Sequence, residues 1–512
     1  MFIQMEGVIF MAKTKIILGP PGTGKTHNLL NLVEAELAKG TPPDRIAFVA
    51  FTKKAATEAR DRAMKKFNLE EQHLPYFRTL HSFAFHQLGM TKSEVMSRDN
   101  YKEFSDSFGM DLGFVADGID SGGVMTTDNI LINHVNLARM RCMDLEKYYN
   151  FYNLDVSWHA LLRAQRSLEE FKKKREVFDF TDMIHMFIES GMVPKLDVVF
   201  VDEAQDLCKL QWRMIHKICQ DPVRNMYISG DDDQAIYRWA GADVEHFIEL
   251  GGGVESLTQS YRCPTLVQQL SQQIIGRVRN RRPKSWKGTN KKGLLQYHSY
   301  PESVNYNEYE GSWLLLGRTN YLLDEIERDL RMQGLIYKRN NRLPISKKLL
   351  NAVDAWRRLS VGEKIELPAV KDMYAYMSTD IGVERGHKGL KTAEKKTYEL
   401  EDLVLRHGLL VSGRPWDVAF DKVGNKDKEF LRAIELRNES LTIEPTINLS
   451  TIHGAKGGEA DNVMMLTDLS RKSQEAMEKD SDDECRVFYV AATRVRNSLH
   501  IVQPQRDGGF II

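Results

Sequence analysis

Two kinds of hydrophobic pattern alternate along the chain. Short, nearly unbroken apolar runs at residues 15–18 and 45–50 are each followed by a longer segment, 26–37 and 53–67, whose apolar residues recur at helical spacing. Unbroken runs of that length read as strands buried on both faces. Their alternation with helices predicts a parallel α/β sheet over residues 1–90. Between residues 91 and 191 the alternation stops, in a polar, helix-rich stretch that carries the basic run Lys172-Lys173-Lys174-Arg175. Strand-like runs return at 196–201 and 225–229, so residues 192–255 are expected to rejoin the first sheet. A second alternating region covers 256–345, with strands at 312–316 and 335–337 around a helix at 321–332. Residues 346–445 read as a second charged, helical insertion, and strands at 447–451 and 462–466 resume the sheet within 446–512. There is no internal repeat and no long low-complexity segment. The pattern predicts two α/β lobes, each split by a mainly helical insertion.

Composition narrows the function classes. At 512 residues the chain has room for roughly three to four domains of ~150 residues. Lys plus Arg and Asp plus Glu are both 71, so no global positive field draws the protein to nucleic acid and any such contact must use local patches. The five cysteines, Cys142, Cys208, Cys219, Cys263 and Cys485, are scattered and include no C-x-x-C. That argues against a disulfide framework, a structural zinc or an iron–sulfur cluster, and for a reducing, cytoplasmic setting. The start, Met1-Phe2-Ile3-Gln4-Met5-Glu6, lacks a basic signal-peptide region, and no apolar run approaches ~18 residues, so neither export nor a membrane partner is expected. Met5 and Met11 are alternative starts.

The chemistry begins at Gly19-Pro20-Pro21-Gly22-Thr23-Gly24-Lys25-Thr26, which fits G-x-x-x-x-G-K-[ST] at every fixed position, between a predicted strand and a predicted helix. In that setting the glycines let backbone N–H groups curl around a phosphate. Lys25 would reach the β- and γ-phosphates and the Thr26 hydroxyl would ligate Mg²⁺. The second element is the apolar strand ending in Asp202-Glu203-Ala204-Gln205-Asp206. It delivers two adjacent carboxylates to the edge where open α/β sheets place ligands: Asp202 for the Mg²⁺ shell, Glu203 to orient and deprotonate the attacking water. Third is Gly230-Asp231-Asp232-Asp233-Gln234, followed by Tyr237 and Trp239. The Gln234 amide can touch the γ-phosphate, and the two aromatic faces can stack on unpaired bases, the alternative being rings turned into the core.

On these motifs and on their order, the chain resembles a UvrD/Rep/PcrA-type superfamily 1 DNA helicase in compact form. Phe51-Thr52-Lys53-Lys54-Ala55-Ala56 is similar to that family's "FTNKAA", and Thr79-Leu80-His81-Ser82 to its "T-x-H-S/G". Both imply contacts with single-stranded DNA, through Phe51, Thr52, Lys54, Thr79 and His81. Asp179-Phe180-Thr181-Asp182-Met183 is similar to "DF-x-D-L", which closes the first insertion. Gln259-Ser260-Tyr261-Arg262 resembles "QNYR", implying that Tyr261 stacks on adenine and that Arg262 reaches the γ-phosphate from the second lobe. The segment Thr451 to Glu459 resembles "TLHSAKGLE", bringing in His453 as a DNA contact and Glu459 at the nucleotide. Glu484 to Arg494 resembles "EERRLFYVAVTRA", whose last arginine, Arg494, is the second on the γ-phosphate. The resemblance implies two RecA-like P-loop lobes, ATP and Mg²⁺ as cofactors, and 3′→5′ movement along single-stranded DNA toward single/double-strand junctions. It also implies a monomer in solution, with replication or repair proteins as further partners. An arginine finger is worth roughly 10³–10⁵ in turnover, so a site assembled across two lobes would open and close with hydrolysis.

The match has gaps. Gln4 stands without the helix expected around an adenine-reading segment, Ala240 replaces a common Arg, and Gly458 and Ala460 replace Leu and Phe. Two basic stretches are candidate phosphate contacts: Arg277, Arg279, Arg281, Arg282, Lys284 and Lys287 around Trp286, and Lys338, Arg339, Arg342, Lys347 and Lys348. His453 has no second His or Cys at ligand spacing, which argues against a metal there. Other readings are a translocase that remodels protein–DNA complexes, a non-translocating regulatory ATPase, a binding protein with a spent ATPase site, and an RNA helicase.

Overall fold

The computed structural model describes residues 12–113, 115–116, 126–220, 223–390, 396–437, 444–506 and 508–512. Gln4, Met5 and Met11 lie outside them, as does the Lys54 side chain. Contacts divide the chain into two compact units. One holds residues up to Lys292 together with Lys479–Thr493; the other holds Gly293–Glu478 and Arg494–Ile512.

The first unit is built on a six-stranded parallel sheet in the spatial order Phe77–Thr79, Ile46–Ala50, Val198–Asp202, Asn225–Gly230, Lys13–Leu18, Gly253–Ser256. Ile46–Ala50 and Val198–Asp202 are buried at every position, as strands covered on both faces must be. Register places Ile17 beside Ser229 and Ala50 beside Asp202. The phosphate-loop strand and the carboxylate strand therefore flank Asn225–Gly230 and end at the same edge. Helices Lys25–Ala38 and Lys53–Phe67 pack one apolar layer against Phe48, Phe77 and Phe200, while Ile16, Val49, Val199 and Trp212 fill the other.

Helices Arg98–Phe108, Ile130–Met140, Leu145–Tyr152 and Trp158–Arg175 make up the first insertion and have their own core around Phe104, Tyr148, Leu161 and Phe171. Lys172 is not part of a solvated basic run. It is 9% exposed, and its ammonium lies 2.8 Å from Asp179 and 2.7 Å from Asp182. Arg139 meets the same two carboxylates at 2.7 and 2.5 Å. Asp179 and Asp182 also form a capping box at the start of helix Phe180–Ser190.

The second unit carries another six-stranded parallel sheet, ordered Tyr337–Arg339, Ile447–Thr451, Trp313–Gly317, Ala460–Leu466, Val495–Val502, Leu294–His298. Among the described residues its helical insertion, Lys347–Ser360 through Asn425–Leu436, shares the core of the sheet. Trp356, Tyr374, Phe420 and Leu431 pack into the cluster that also buries Leu315, Tyr337 and Leu449 of the sheet.

The compact units cut the chain in two places where the expected lobes do not: residues 257–292 and 479–493, both read in sequence as second lobe, group with the first unit. Ser260 and Tyr261 hydrogen-bond to the phosphate loop, and helix Thr265–Ile275 packs on helix Asp482–Ala492. Among the described residues no helix is long and apolar enough to cross a membrane.

Candidate active site on the first compact unit

The loop between strand Lys13–Leu18 and helix Lys25–Ala38 has the geometry of a phosphate cradle. Gly22 and Gly24 have φ of +70° and +77°, the left-handed region that L side chains rarely adopt. A Cβ on Gly19 would lie 1.9 Å from the Lys25 Cγ, so only glycine lets that side chain fold back over the loop. Lys25 Nζ donates to the Gly19 carbonyl at 3.1 Å and lies 3.5 Å from Glu203 Oε1. The Thr26 hydroxyl donates to Asp202 Oδ2 at 2.9 Å, although the two are far apart in sequence.

The sequence expectation for Thr26 and Asp202 was a shared Mg²⁺, and their oxygens fit that role. Two hard oxygen donors converge beside the cradle, and Asp202 is 1% exposed. Burial and the neighbouring Glu203 charge push the Asp202 carboxyl up to about 6, against the pull of Lys25 and Thr26. A carboxylate so placed gains from an approaching cation. Glu203 itself has φ +53°, a strained conformation for a non-glycine residue. Asp202 Oδ1 accepts the Glu203 N–H at 3.0 Å.

A chain of side-chain bonds runs onward. Gln205 Nε2 donates to Glu203 Oε2 at 2.6 Å, and Gln205 Oε1 accepts the Asp231 N–H at 3.0 Å. Gln234 Nε2 donates to Asp231 Oδ2 at 2.6 Å. Thus Glu203 and Gln234, each just past the end of a different strand, are joined through buried Gln205 and Asp231. Sequence reasoning noted Gln205 without giving it a role. Its signal was an amide just past the carboxylate pair, in the turn after the strand that neighbours the one ending in Gly230.

Arg262 was expected in the second lobe and instead belongs to the same unit as Lys25. Ser260, fully buried, donates its hydroxyl to the Pro21 carbonyl at 2.7 Å, and the Tyr261 N–H donates to the Gly22 carbonyl at 2.8 Å. A Cβ on Gly22 would come within 2.4 Å of the Arg262 Cβ. Tyr261 is 78% exposed beside the cradle. Arg494, Glu459 and His453 lie in the second unit. There Arg494 is buried with Nη1 donating to the Gly458 carbonyl at 3.4 Å, and Glu459 pairs with Arg496.

The first basic stretch is divided: Arg277, Arg279 and Lys287 are exposed, whereas Arg281 and Lys284 turn inward. Arg281 forms a bidentate pair with Asp233 at 2.8 and 2.5 Å, and the Lys284 side chain, fully buried, sits among Asp231, Asp232 and Asp233. Arg279 meets Asp480 and Asp482, and Arg282 donates to the Leu250 carbonyl. The run of carboxylates at 231–233 was the missed signal, since buried acids demand buried bases. In the second stretch Lys338 pairs with Glu444, and Arg339 with Asp324 and Glu327.

The predicted DNA contacts divide by environment. Trp239 is 55% exposed, so it is not a core tryptophan. Tyr237 is half-buried and stacks on Phe51 with ring centroids 5.8 Å apart. Thr52 and Thr79 use their hydroxyls as caps, accepting from Ala55 N and Ser82 N. Thr79 and His81 also line a cavity of about 650 Å³ that receives Arg60, Arg78, Lys92 and Arg98. Burial, with Asp179 opposing it, moves the His81 imidazole down to about 4, so it is neutral at physiological pH.

Two family models match the chain: UvrD/REP helicase N-terminal domain over residues 2–252, and UvrD-like helicase C-terminal domain over residues 409–506. The ATP-dependent DNA helicase PcrA of Bacillus subtilis (strain 168) is 23% identical over 410 residues, covering 73% of this chain and 52% of the relative. PcrA of Staphylococcus aureus (strain MRSA252) is 24% identical over 337 residues, covering 60% and 42%. The ATP-dependent DNA helicase Rep of Buchnera aphidicola subsp. Baizongia pistaciae (strain Bp) is 23% identical over 414 residues, covering 73% and 57%. The chain spans about half the length of these curated relatives. A phosphate cradle, a carboxylate pair beside it and two parallel sheets, together with both family models in their order, show that the chain belongs to the UvrD/Rep/PcrA-type superfamily 1 helicases.

Proposed function

We propose that this protein is an ATP-driven motor on single-stranded DNA, moving 3′→5′ and separating strands at junctions in repair, recombination or replication. The observation that carries the reading is the convergence of Lys25, Thr26, Asp202 and Glu203 at one sheet edge. The glycine loop binds the triphosphate of ATP through backbone N–H groups, and Lys25 exchanges its contacts with Gly19 and Glu203 for phosphate oxygens. Thr26 and Asp202 would hold Mg²⁺, which when bound neutralises developing charge on the phosphates. Glu203 accepts the proton of the attacking water at a carboxylate oxygen, held in place by Gln205. Gln234 and Arg262 contact the γ-phosphate and Tyr261 stacks on the adenine. Arg494 and Glu459 take their nucleotide roles from the family resemblance.

The DNA path is assigned to Phe51, Thr52, Lys54, Tyr237 and Trp239, then to Thr79, His81 and the arginine-lined cavity beside them, with His453 on the second unit. The exposed face of Trp239 and a basic cavity suit sequence-blind binding, while Phe51, 6% exposed, backs Tyr237 from within the core. The relatives' printed names, ATP-dependent DNA helicases, support the same substrate.

Hydrolysis with and without single-stranded DNA, in the wild type and in Glu203→Gln, tests the assignment. The wild type should be stimulated by DNA. The variant should bind ATP and DNA normally and lose turnover by at least ~10²-fold, the usual worth of a positioned base. Near-wild-type hydrolysis by Glu203→Gln would show that Glu203 is not the base.

A further inference from the structure

We infer that Lys284 is a positioning residue that locks the turn carrying Gln234 to the segment carrying Tyr261 and Arg262. The inference rests on the reading of Gln234 and Arg262 as γ-phosphate contacts. Lys284 has no exposed side-chain surface, and its Nζ lies 3.2 Å from Asp231 Oδ1, 2.5 Å from Asp232 Oδ1 and 3.1 Å from Asp233 Oδ2. Those three carboxylates are the group in the described structure that could have held a metal ion, and the lysine ammonium occupies their centre.

The buried carboxylates are met by buried cations. Three carboxylates face Lys284 and the bidentate Arg281, while the buried Arg486 donates its Nε to the Asp232 backbone carbonyl at 3.0 Å and lies 3.6 Å from Asp483. An unpaired charge left in such a place is strongly destabilising, so the cluster holds or fails as a unit. Gln234 hangs from it directly. Asp231 accepts the Gln234 amide on Oδ2, while Oδ1 faces Lys284 and accepts the Asp233 N–H at 3.2 Å.

The other arm leaves from the same residue. Three positions on, Lys287 donates its N–H to the Thr258 carbonyl at 2.7 Å and accepts the Ser260 N–H at 2.9 Å. Ser260 in turn anchors the segment to Pro21 and accepts the Arg262 N–H at 3.3 Å. One short stretch, 284–287, thus grips the Gln234 turn with a side chain and the Arg262 segment with its backbone. A change in how either contacts a phosphate is transmitted to the other through Lys284. Neither Arg nor a neutral side chain can place a single compact cation at the meeting point of three carboxylates.

The test is steady-state hydrolysis by Lys284→Gln/Asp232→Asn, which removes one charge of each sign and leaves the net charge of the cluster unchanged. Its melting temperature should stay close to wild type and KM for ATP within about threefold, while DNA-stimulated kcat falls by about tenfold or more. Adding Gln234→Ala to that variant should slow it no further than Gln234→Ala alone, because both changes disable one device. A folded variant with wild-type kcat, or losses that simply multiply, would overturn the inference while leaving Gln234 in its role. Full activity of Gln234→Ala by itself would instead remove the reading on which the inference rests. Should the paired variant not fold, Lys284→Arg is measured in the same way: kcat lowered at unchanged KM supports the positioning role, and wild-type kcat refutes it.

Discussion

Glu203 shows what single residues here can and cannot reveal from their names. A carboxylate pair after an apolar strand is readable in sequence, and so is a water-activating role for its second member. The left-handed φ of +53° at Glu203 is not readable, nor is the bond from Gln205 that holds its carboxylate. Both depend on which strand lies next in the sheet. Trp239 makes the converse point. Its sequence left open whether the ring is core or surface, and 55% exposure removes the core alternative. Trp239→Ala should therefore leave the melting temperature nearly unchanged, weaken single-stranded DNA binding by about 1–3 kcal/mol and spare DNA-independent hydrolysis. Parallel loss of stability and of both rates would return the ring to the core.

At the scale of elements, the buried ion cluster at the base of the first insertion is the part least visible in sequence. Lys172 stands in a run of four basic residues, where a solvated face is the ordinary expectation. Its position on helix Trp158–Arg175 turns it alone among them toward Asp179 and Asp182. Arg139→Met leaves those carboxylates one cation short and should cost about 3–5 kcal/mol, read as a lowered denaturation midpoint. His81 gives the same region a pH dependence. Burial lowers its folded-state value from 6.5 to about 4, so over that window the unfolded chain binds the extra proton. The stability that neutral His81 contributes is complete above pH 6.5 and is lost as pH falls toward 4. His81→Gln should flatten the fall in melting temperature between pH 7 and pH 5. An unchanged slope in the variant would show that His81 is not the group that titrates.

Across the whole molecule, the two parallel sheets were legible because parallel strands covered on both faces write unbroken apolar runs. The short, partly exposed or polar-interrupted strands Phe77–Thr79, Gly253–Ser256, Leu294–His298 and Val495–Val502 leave no such run and were not foreseen. The assignment of residues 257–292 to the first unit was hidden for another reason. It rests on backbone bonds to the phosphate loop and on the charge match between 231–233 and 281–284, both long-range. The insertions also differ in a way composition does not announce: the first keeps a core of its own, the second shares that of its sheet.

The central claim is that hydrolysis at the Lys25–Asp202–Glu203 site drives directed movement on single-stranded DNA. The most direct measurement is strand separation of matched duplexes carrying a 3′ tail, a 5′ tail or no tail, with ATP and Mg²⁺, by the wild type and by Glu203→Gln. The account predicts unwinding of the 3′-tailed duplex by the wild type alone, with the 5′-tailed and blunt duplexes left intact. DNA-stimulated hydrolysis with equal or no unwinding of all three duplexes, or unwinding by Glu203→Gln, would contradict it.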